Sequence, residues 1–288
     1  MFAWSSVCGA RPAVMGIVNI TPDSFSDGGQ FLDPGAAVDH GLALVAAGAD
    51  VLDVGGESTR PGADPVDETE ERARIVPVVE RLAAESGVPV SVDTTKAAVA
   101  AAALDAGASI VNDVSAGLTD PAMLGVVAAA GAGYVAMHRR GEPRTMQRDV
   151  RYDDVVRDVT QHLVERRDAA YDAGVAPGAL CADPGIGFGK LTEHNLALLA
   201  QLDLIARDVG VPLLIGASRK TFLGQLLADA RGAPAVVAPV ARDDATLATT
   251  MWAIDHGASV VRVHDVRPSV DAVRLWVAMR DLDARAVA

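Results

Sequence analysis

Short apolar runs alternate with longer helix-forming stretches along almost the whole sequence of 288 residues. Each run is rich in valine, isoleucine or leucine, which is typical of buried strands in a parallel sheet. Eight such runs occur, at residues 13–20, 50–54, 89–93, 109–113, 133–137, 179–183, 211–215 and 259–263. Eight strands that each precede a helix, in a chain near the usual length of about 250 residues, predict an α/β fold of the (β/α)8 TIM barrel type. We expect residues 1–288 to form a single domain.

Helix signals lie between these runs. One helix is predicted from Pro34, with Asp33 as its N-cap, to a stop at Gly48. Further helices are predicted at residues 67–85, 95–106, 121–130, 152–173 and 193–209. Residues 231–243, which contain two prolines, are predicted to be a loop between two helices after the seventh strand. The alternative fold is a doubly wound open sheet, but the Gly-x-Gly-x-x-Gly turn that this fold favours after its first strand is absent.

Polar side chains stand at the end of every predicted strand. In a (β/α)8 barrel the carboxyl ends of the strands and the loops after them form one mouth, where catalytic groups gather. A single polar strand end has an ordinary structural explanation, such as a helix cap or a loop ion pair, whereas eight together indicate a functional site. These side chains include Asn19, Asp53, Asp93, Asn112, Asp113, His138, Asp183, Lys220, Arg262 and His264.

The residue types indicate the chemistry of this mouth. Asp93, Asp183 and Asn112 provide acceptors for a flat heterocycle with several N–H groups, and Lys220 is expected to pair with a ring carbonyl or with Asp183. Arg262 and His264 are two residues apart on a strand and therefore point the same way, so that with Thr59 and Arg60 they are suited to grip a phosphate or pyrophosphate. The Asn19 oxygen is suited to a Mg2+ that bridges those phosphates. Neither a Ser-His-Asp set nor zinc-ligand spacing stands out.

Composition limits the partners and the compartment. Lys and Arg total 25 against 38 Asp and Glu, and this net charge of -13 argues against a general nucleic-acid or anionic-membrane surface. Two cysteines, Cys8 and Cys181, are too few for a disulfide framework. No signal peptide and no apolar run near the roughly 18 residues of a membrane span is evident. A cytoplasmic protein is expected.

Three specific motifs stand at these strand ends: residues 15–29, residues 53–62 (Asp-Val-Gly-Gly-Glu-Ser-Thr-Arg-Pro-Gly) and residues 261–266 (Val-Arg-Val-His-Asp-Val). Shorter motifs occur at residues 91–94, 110–115, 137–138, 141–147, 183–190 and 218–220. Together these motifs resemble those of dihydropteroate synthase, the family of folate-pathway enzymes that sulfonamides inhibit. Ala217 and Ala245 depart from the residues common in the family, at positions that do not touch the expected chemistry.

The resemblance implies condensation of 6-hydroxymethyl-7,8-dihydropterin diphosphate with 4-aminobenzoate, which gives dihydropteroate and pyrophosphate. It also implies a dissociative mechanism through a pterin carbocation, a Mg2+ at Asn19, a homodimer, and sulfonamide inhibition. The pterin residues it implies are Asp93, Asn112, Asp183, Lys220, Met137 and Phe188, with Asp93, Asp183 and Lys220 catalytic. The implied diphosphate residues are Asn19, Thr59, Arg262 and His264. The implied aminobenzoate and lid residues are Phe25, Arg60, Pro61 and Ser218, with Phe188 beside the aminobenzoate ring.

Two other functions share this site pattern. A non-catalytic pterin-binding paralogue is expected to have lost loop or diphosphate residues, yet Asn19, Thr59, Arg60, Arg262 and His264 are all in place. A methyltetrahydrofolate–corrinoid methyltransferase shares the barrel and the Asp/Asn floor. It handles no diphosphate, so the Arg262–His264 pair argues against it.

Overall fold

A computed structural model describes residues 1–20, 34–58, 62–142 and 144–286, with side chains described to residue 282. Eight parallel strands form one sheet in the order β6-β5-β4-β3-β2-β1-β8-β7. The strands are β1 Ala13–Asn19, β2 Val51–Gly55, β3 Val90–Asp93, β4 Ile110–Asp113, β5 Gly133–Met137, β6 Leu180–Asp183, β7 Leu214–Ile215 and β8 Val260–Val263. The predicted (β/α)8 TIM barrel is confirmed.

The barrel closes between β6 and β7 through a single parallel bridge that pairs Ala182 with Leu213. The seventh strand is shorter than the predicted 211–215 because Pro212 lies at its start. Proline has no N–H to donate to a ladder. Its carbonyl still accepts a 2.9 Å hydrogen bond from the Ala182 amide, so the backbone link across this closure is retained.

Helices follow the strands, as the alternating pattern predicts, and one short helix that was not predicted precedes β1. The helices are α1 Ser5–Cys8, α2 Pro34–Ala46, α3 Glu68–Glu85, α4 Ala97–Asp105, α5 Met123–Ala130, α6 Val155–Asp172, α7 Thr192–Ala200, α8 Leu202–Val209, α9 Thr221–Arg231, α10 Asp243–Asp255 and α11 Val266–Ala286. The prediction of one helix at 193–209 is wrong, because Gln201 leaves the helical region (φ -126°, ψ 29°) and separates α7 from α8. The predicted loop at 231–243 ends in a short 3-10 turn, Pro239–Arg242. Among the described residues, no helix is both long enough and apolar enough to cross a membrane.

The amino-terminal segment closes the bottom of the barrel, which the sequence did not reveal. Trp4 is fully buried, and its indole N–H donates a 2.9 Å hydrogen bond to the Ala179 carbonyl. Phe2 packs edge-on against the Trp4 ring. This tryptophan belongs to an apolar cluster with Ala13, Met15, Val51, Ile110, Val135, Cys181, Leu214 and Val260. The lower part of the barrel interior is therefore filled by side chains, and the polar groups are confined to the upper part.

Candidate active site

Strand alternation places the polar residues of the site inside the barrel. Residues two apart on a strand face the same side, so the positions two and four after each inward apolar residue of the lower cluster also face inward. On β1, β2, β4, β6 and β8 the inward residues change from apolar to polar toward the carboxyl end. The apolar members are Met15, Val51, Ile110, Cys181 and Val260, and the polar ones are Asn19, Asp53, Asn112, Asp183 and Arg262.

Arg262 connects two of the inward carboxylates. Its Nε donates to Asp53 Oδ2 at 2.6 Å, and its Nη2 donates to Asp93 Oδ2 at 2.9 Å. The side-chain amide of Asn112 donates to the same Asp53 oxygen at 3.0 Å. Arg262, expected to face the diphosphate, is thus also tied to the floor of the barrel mouth. Asp53, which the sequence analysis noted at a strand end without giving it a role, lies at the centre of this network.

The two carboxylates keep acceptor capacity after these bonds are made. Asp53 Oδ1 and Asp93 Oδ1 are buried and have no hydrogen-bond partner in the described part of the chain. Burial raises the pKa of Asp93 to about 7, against the attraction of Arg262, which lowers it. An unpaired buried acceptor is unfavourable, so this floor favours a ligand that presents N–H groups to it.

Asp183 is held at the end of β6 by its own turn. Its Oδ1 accepts a 2.7 Å hydrogen bond from the Gly185 amide. Gly185 has a φ of +68°, and a Cβ there would lie 1.9 Å from the His138 carbonyl oxygen, so only glycine fits this position. Burial raises the pKa of Asp183 to about 6, although the Gly185 hydrogen bond and Lys220 act to lower it.

Lys220 lies over the ring of Phe188. The Lys220 ammonium lies 3.9 Å from the centroid of the Phe188 ring, within the range of a cation–π interaction. Phe188 packs in a buried apolar cluster with Met137, Met146 and Val114. The predicted pterin residues Met137, Phe188 and Lys220 are therefore linked through one aromatic ring.

Ser218 and His264 join the loops after β7 and β8. Ser218 Oγ and His264 Nδ1 share a 2.9 Å hydrogen bond, and the His264 amide donates to Ser218 Oγ at 3.2 Å. The next residue, Arg219, has a φ of +58° and forms two hydrogen bonds with the Asp243 carboxylate, at 2.7 and 2.9 Å. This anchoring of the loop after β7 was not predicted from the sequence.

A cavity of about 560 Å³ opens between these groups. Its wall contains the predicted residues Asn19, Asp93, Phe188, Ser218, Lys220, Arg262 and His264. Asn112, Asp183 and Met137 are buried and do not belong to the wall. The predicted residues Phe25, Thr59, Arg60 and Pro61 lie outside the described residues.

Glu57 also lines the cavity, and it belongs to a second group that the sequence analysis missed. Lys96 forms ion pairs with both Glu57 and Glu71, the latter at 2.5 Å. Glu71 is fully buried on α3, so this lysine connects the loop after β2 to the helix behind it. The sequence contains a signal for this group, because Glu71 lies on the same helix face as the apolar Ile75 and Val78. A buried acid on such a face needs a charged partner.

Comparison with known proteins agrees with this geometry. A family model described as pterin binding enzyme matches residues 15–264. The dihydropteroate synthase of Mycobacterium leprae is 54% identical over 264 residues, which covers 91% of each chain. The structure of Xanthomonas albilineans dihydropteroate synthase with 4-aminobenzoic acid is 47% identical, covers 94% of this chain and 93% of the other, and has a TM-score of 0.85. The Yersinia pestis dihydropteroate synthase with a sulfonamide drug is 43% identical over 94% of this chain and 95% of the other, with a TM-score of 0.86.

Proposed function

The chain belongs to the dihydropteroate synthases of the pterin binding enzyme family, and on that premise we propose how its own residues carry out the reaction. The reaction condenses 6-hydroxymethyl-7,8-dihydropterin diphosphate with 4-aminobenzoate and releases pyrophosphate. One observation carries the assignment of the site. A floor of hydrogen-bond acceptors and a guanidinium meet in the same cavity, which matches a substrate with a donor-rich ring and an anionic leaving group.

We infer that the pterin ring occupies the floor of the mouth. The ring N–H groups would be accepted by Asp93 on the cavity wall and by Asp183, which lies behind the wall and is 6% exposed. The Asn112 side chain is held by Asp53 and would present its remaining polar atom to the ring. Lys220 would contact a ring acceptor from above Phe188, and Met137 packs behind that phenyl ring.

The diphosphate would lie toward β8. Arg262 and His264 are both on the cavity wall, two residues apart on the chain, and Thr59 would complete the set. In the dissociative mechanism, pyrophosphate leaves before the amine attacks, and charge develops on the departing oxygen. The guanidinium stabilises that charge, and the Asp93 and Asp183 carboxylates stabilise the pterin cation that remains.

The aminobenzoate would approach from the wall formed by Phe188 and Ser218. Ser218 is oriented by His264, so the second substrate and the leaving diphosphate would be bound by adjacent, hydrogen-bonded residues. Phe25, Arg60 and Pro61 are proposed to cover this substrate and exclude water, which otherwise competes for the carbocation.

We propose a Mg2+ at the diphosphate. No group of three or more His, Cys, Asp or Glu side chains suited to a metal ion occurs in the described part of the chain. The amide of Asn19 lines the cavity and offers one hard oxygen, which fits an ion that takes its other ligands from water and phosphate. When bound, the ion supplies positive charge to the leaving group. We expect Mg2+ to strengthen pyrophosphate binding in calorimetry with the wild type and to have little effect on Asn19→Ala.

The deciding experiment is pyrophosphate release from the purified protein with both substrates and Mg2+. Release that depends on aminobenzoate is expected. A protein that binds the pterin diphosphate but releases no pyrophosphate would be a pterin-binding paralogue. Asp183→Ala is expected to abolish pterin binding, and unchanged affinity in this variant would refute the proposed floor.

Sulfonamide inhibition is proposed from the same site. The Yersinia pestis relative has been solved with a sulfonamide drug, and the aminobenzoate wall proposed for this chain contains Phe188 and Ser218. A sulfonamide should compete with aminobenzoate in the pyrophosphate assay and leave the KM for the pterin diphosphate unchanged. Full activity at saturating sulfonamide would contradict this.

A homodimer in the cytoplasm is also proposed. Leu275, Met279 and Leu282 lie three and four residues apart on α11 and are 61%, 51% and 65% exposed, so they form an apolar stripe suited to a second copy. Light scattering should show a dimer for the wild type and a monomer for the Leu275→Glu, Met279→Glu double variant, with the exposed Leu118→Glu as control. The free thiols of Cys8 and Cys181 are in keeping with a reducing compartment.

A further inference from the structure

Lys190 is a buried lysine that the proposed reaction does not use. It ends the loop after β6 and is 3% exposed. Its Nζ lies 2.8 Å from His138 Nδ1, 2.9 Å from the Gly185 carbonyl oxygen and 3.1 Å from the Phe188 carbonyl oxygen. A fourth contact, to the His138 carbonyl oxygen, is longer at 3.4 Å. The lysine thus links the loop after β6 to the loop after β5.

The three shortest contacts match the charged form of the lysine. An ammonium has three N–H donors and no acceptor, so it can donate to both carbonyl oxygens and to His138 Nδ1. In this form His138 accepts through Nδ1 and is neutral, and burial lowers the pKa of this imidazole. A neutral amine has two donors and one lone pair, so it would keep all three contacts only if His138 changed tautomer and donated from Nδ1. Loss of the proton would replace charge-assisted hydrogen bonds with weaker neutral ones.

We propose that Lys190 is a positioning residue for pterin binding, because its ammonium holds the two backbone segments that orient Asp183 and Phe188. The Gly185 amide donates to the Asp183 carboxylate, while the Gly185 carbonyl accepts from Lys190. Phe188 is held through its carbonyl, and its ring lies beneath the Lys220 ammonium. This inference rests on the proposed role of that floor in binding pterin.

Other charged groups surround the lysine. Asp183 lies on β6, Lys220 on the loop after β7, His138 and Arg140 on the loop after β5, and His162 on α6. Burial lowers the pKa of Lys190 to about 7, Asp183 opposes this effect and Lys220 adds to it. The pKa of His162 is lowered to about 4, mainly by burial, so this imidazole stays neutral over the range in question.

Loss of the Lys190 proton should therefore weaken pterin binding as the pH rises through about 7. An arginine keeps its charge throughout this range, so Lys190→Arg removes the titration and retains donors. Asp93 and Asp183 titrate below or near the same pH and are present in both proteins. Any difference in the alkaline limb between the wild type and Lys190→Arg accordingly belongs to Lys190.

The test is calorimetric binding of 6-hydroxymethyl-7,8-dihydropterin diphosphate with Mg2+, without aminobenzoate, at about pH 6 and about pH 9. At about pH 6 Asp93 and Asp183 are partly protonated in both proteins, so the informative quantity is the ratio of the two affinities at each pH. We expect Lys190→Arg to bind more tightly, relative to the wild type, at about pH 9 than at about pH 6. Lys190→Met should bind about tenfold more weakly or worse at the lower pH. Leu163→Ala, a buried change on α6 behind these loops, is the control and should lower stability without altering the pH dependence.

Equal affinity of Lys190→Met and the wild type, or the same alkaline limb in Lys190→Arg and the wild type, would overturn the proposal. If Lys190→Met does not fold, His138→Phe replaces it, since removal of an acceptor lowers the pKa of Lys190 and should move the limb to lower pH. The binding test of Lys190 can be distinguished from the pyrophosphate-release test of the catalytic function. A wild type that shows the limb in binding yet releases no pyrophosphate would refute the catalytic function and retain the positioning role.

Discussion

Replacement of Asp53 by alanine is the sharpest probe of the charged network in the barrel mouth. The change leaves two donors without their acceptor, Arg262 Nε at 2.6 Å and the Asn112 amide at 3.0 Å. Removal of one partner of a buried ion pair costs about 3–5 kcal/mol. Arg262 retains its 2.9 Å bond to Asp93, so we expect a loss at the lower end of this range, about 3 kcal/mol of unfolding free energy.

The assay is urea denaturation at about pH 8, above the pKa of Asp93, which lies at about 7. Asp53→Asn keeps one acceptor oxygen and the side-chain shape, so it should lose only about 1–2 kcal/mol. Glu85→Ala is the matched control, because it removes an ion pair with Arg81 in which both side chains are almost half exposed. Exposed pairs of this kind contribute about 0.5 kcal/mol or less.

The same substitution has a second, electrostatic consequence. The like charge of Asp53 is among the causes that raise the pKa of Asp93, so its removal should lower that pKa and move the acid limb of pterin binding to lower pH. A double-mutant cycle with Arg262→Met should show strong coupling. Two results would show that the network does not hold the site together. One is an Asp53→Ala variant that is no less stable than Glu85→Ala, and the other is additivity of Asp53→Ala and Arg262→Met in the double-mutant cycle.

Further predictions concern Trp4, Gly189 and Asp183, all of which are buried. Trp4→Ala should lower the unfolding free energy by about 3–5 kcal/mol in urea denaturation, because it opens a cavity at the bottom of the barrel and leaves the Ala179 carbonyl without its donor. Gly189→Ala should cost at least about 1–3 kcal/mol in the same assay, since its φ is +62° and a Cβ would lie 2.2 Å from the Arg140 carbonyl oxygen. The affinity for pterin diphosphate should fall as the pH drops through about 6, where Asp183 gains a proton. The effect of this proton on folding has the opposite sign. Between about pH 4 and 6 the native state binds more protons than the unfolded chain, so protonation of Asp183 raises the unfolding free energy as the pH falls. Asp183→Asn should therefore lose pterin binding without loss of stability at about pH 8.

Strand positions were predictable from the sequence because a parallel barrel buries both faces of each strand. Valine-rich runs such as the one ending at Asp93 therefore stand out against their surroundings. The predicted boundaries of strands and helices were wrong where a single residue changed the local backbone. Pro212 shortened β7, and the non-helical torsion angles of Gln201 divided one predicted helix into two. The extent of the single domain, residues 1–288, stays a prediction.

Residues that act through other residues were not visible in the sequence. In the sequence Asp53 is one of several polar residues at strand ends. Only the structure shows that it accepts a hydrogen bond from Arg262, which is 209 positions away. Lys190 reads as the last letter of a glycine-rich motif, and its burial against His138 depends on two loops meeting. Trp4 precedes every predicted element, and only barrel closure shows that it fills the interior. Pairwise contacts across the barrel decide these roles, and periodicity carries no information about them.

The single bridge between Ala182 and Leu213 leaves the barrel with one weak seam. Asp183 follows directly on one side of this seam, and Lys220 lies beyond β7 on the other. A pterin bound by Asp183 and Lys220 would link β6 to the loop after β7. The substrate would then stabilise the part of the barrel that has the fewest backbone hydrogen bonds. Backbone amides of β6 and β7 should then exchange with deuterium more slowly when pterin is bound, while those of β2 and β3 should change little. Binding of the pterin would thus also stabilise the closure of the barrel between β6 and β7.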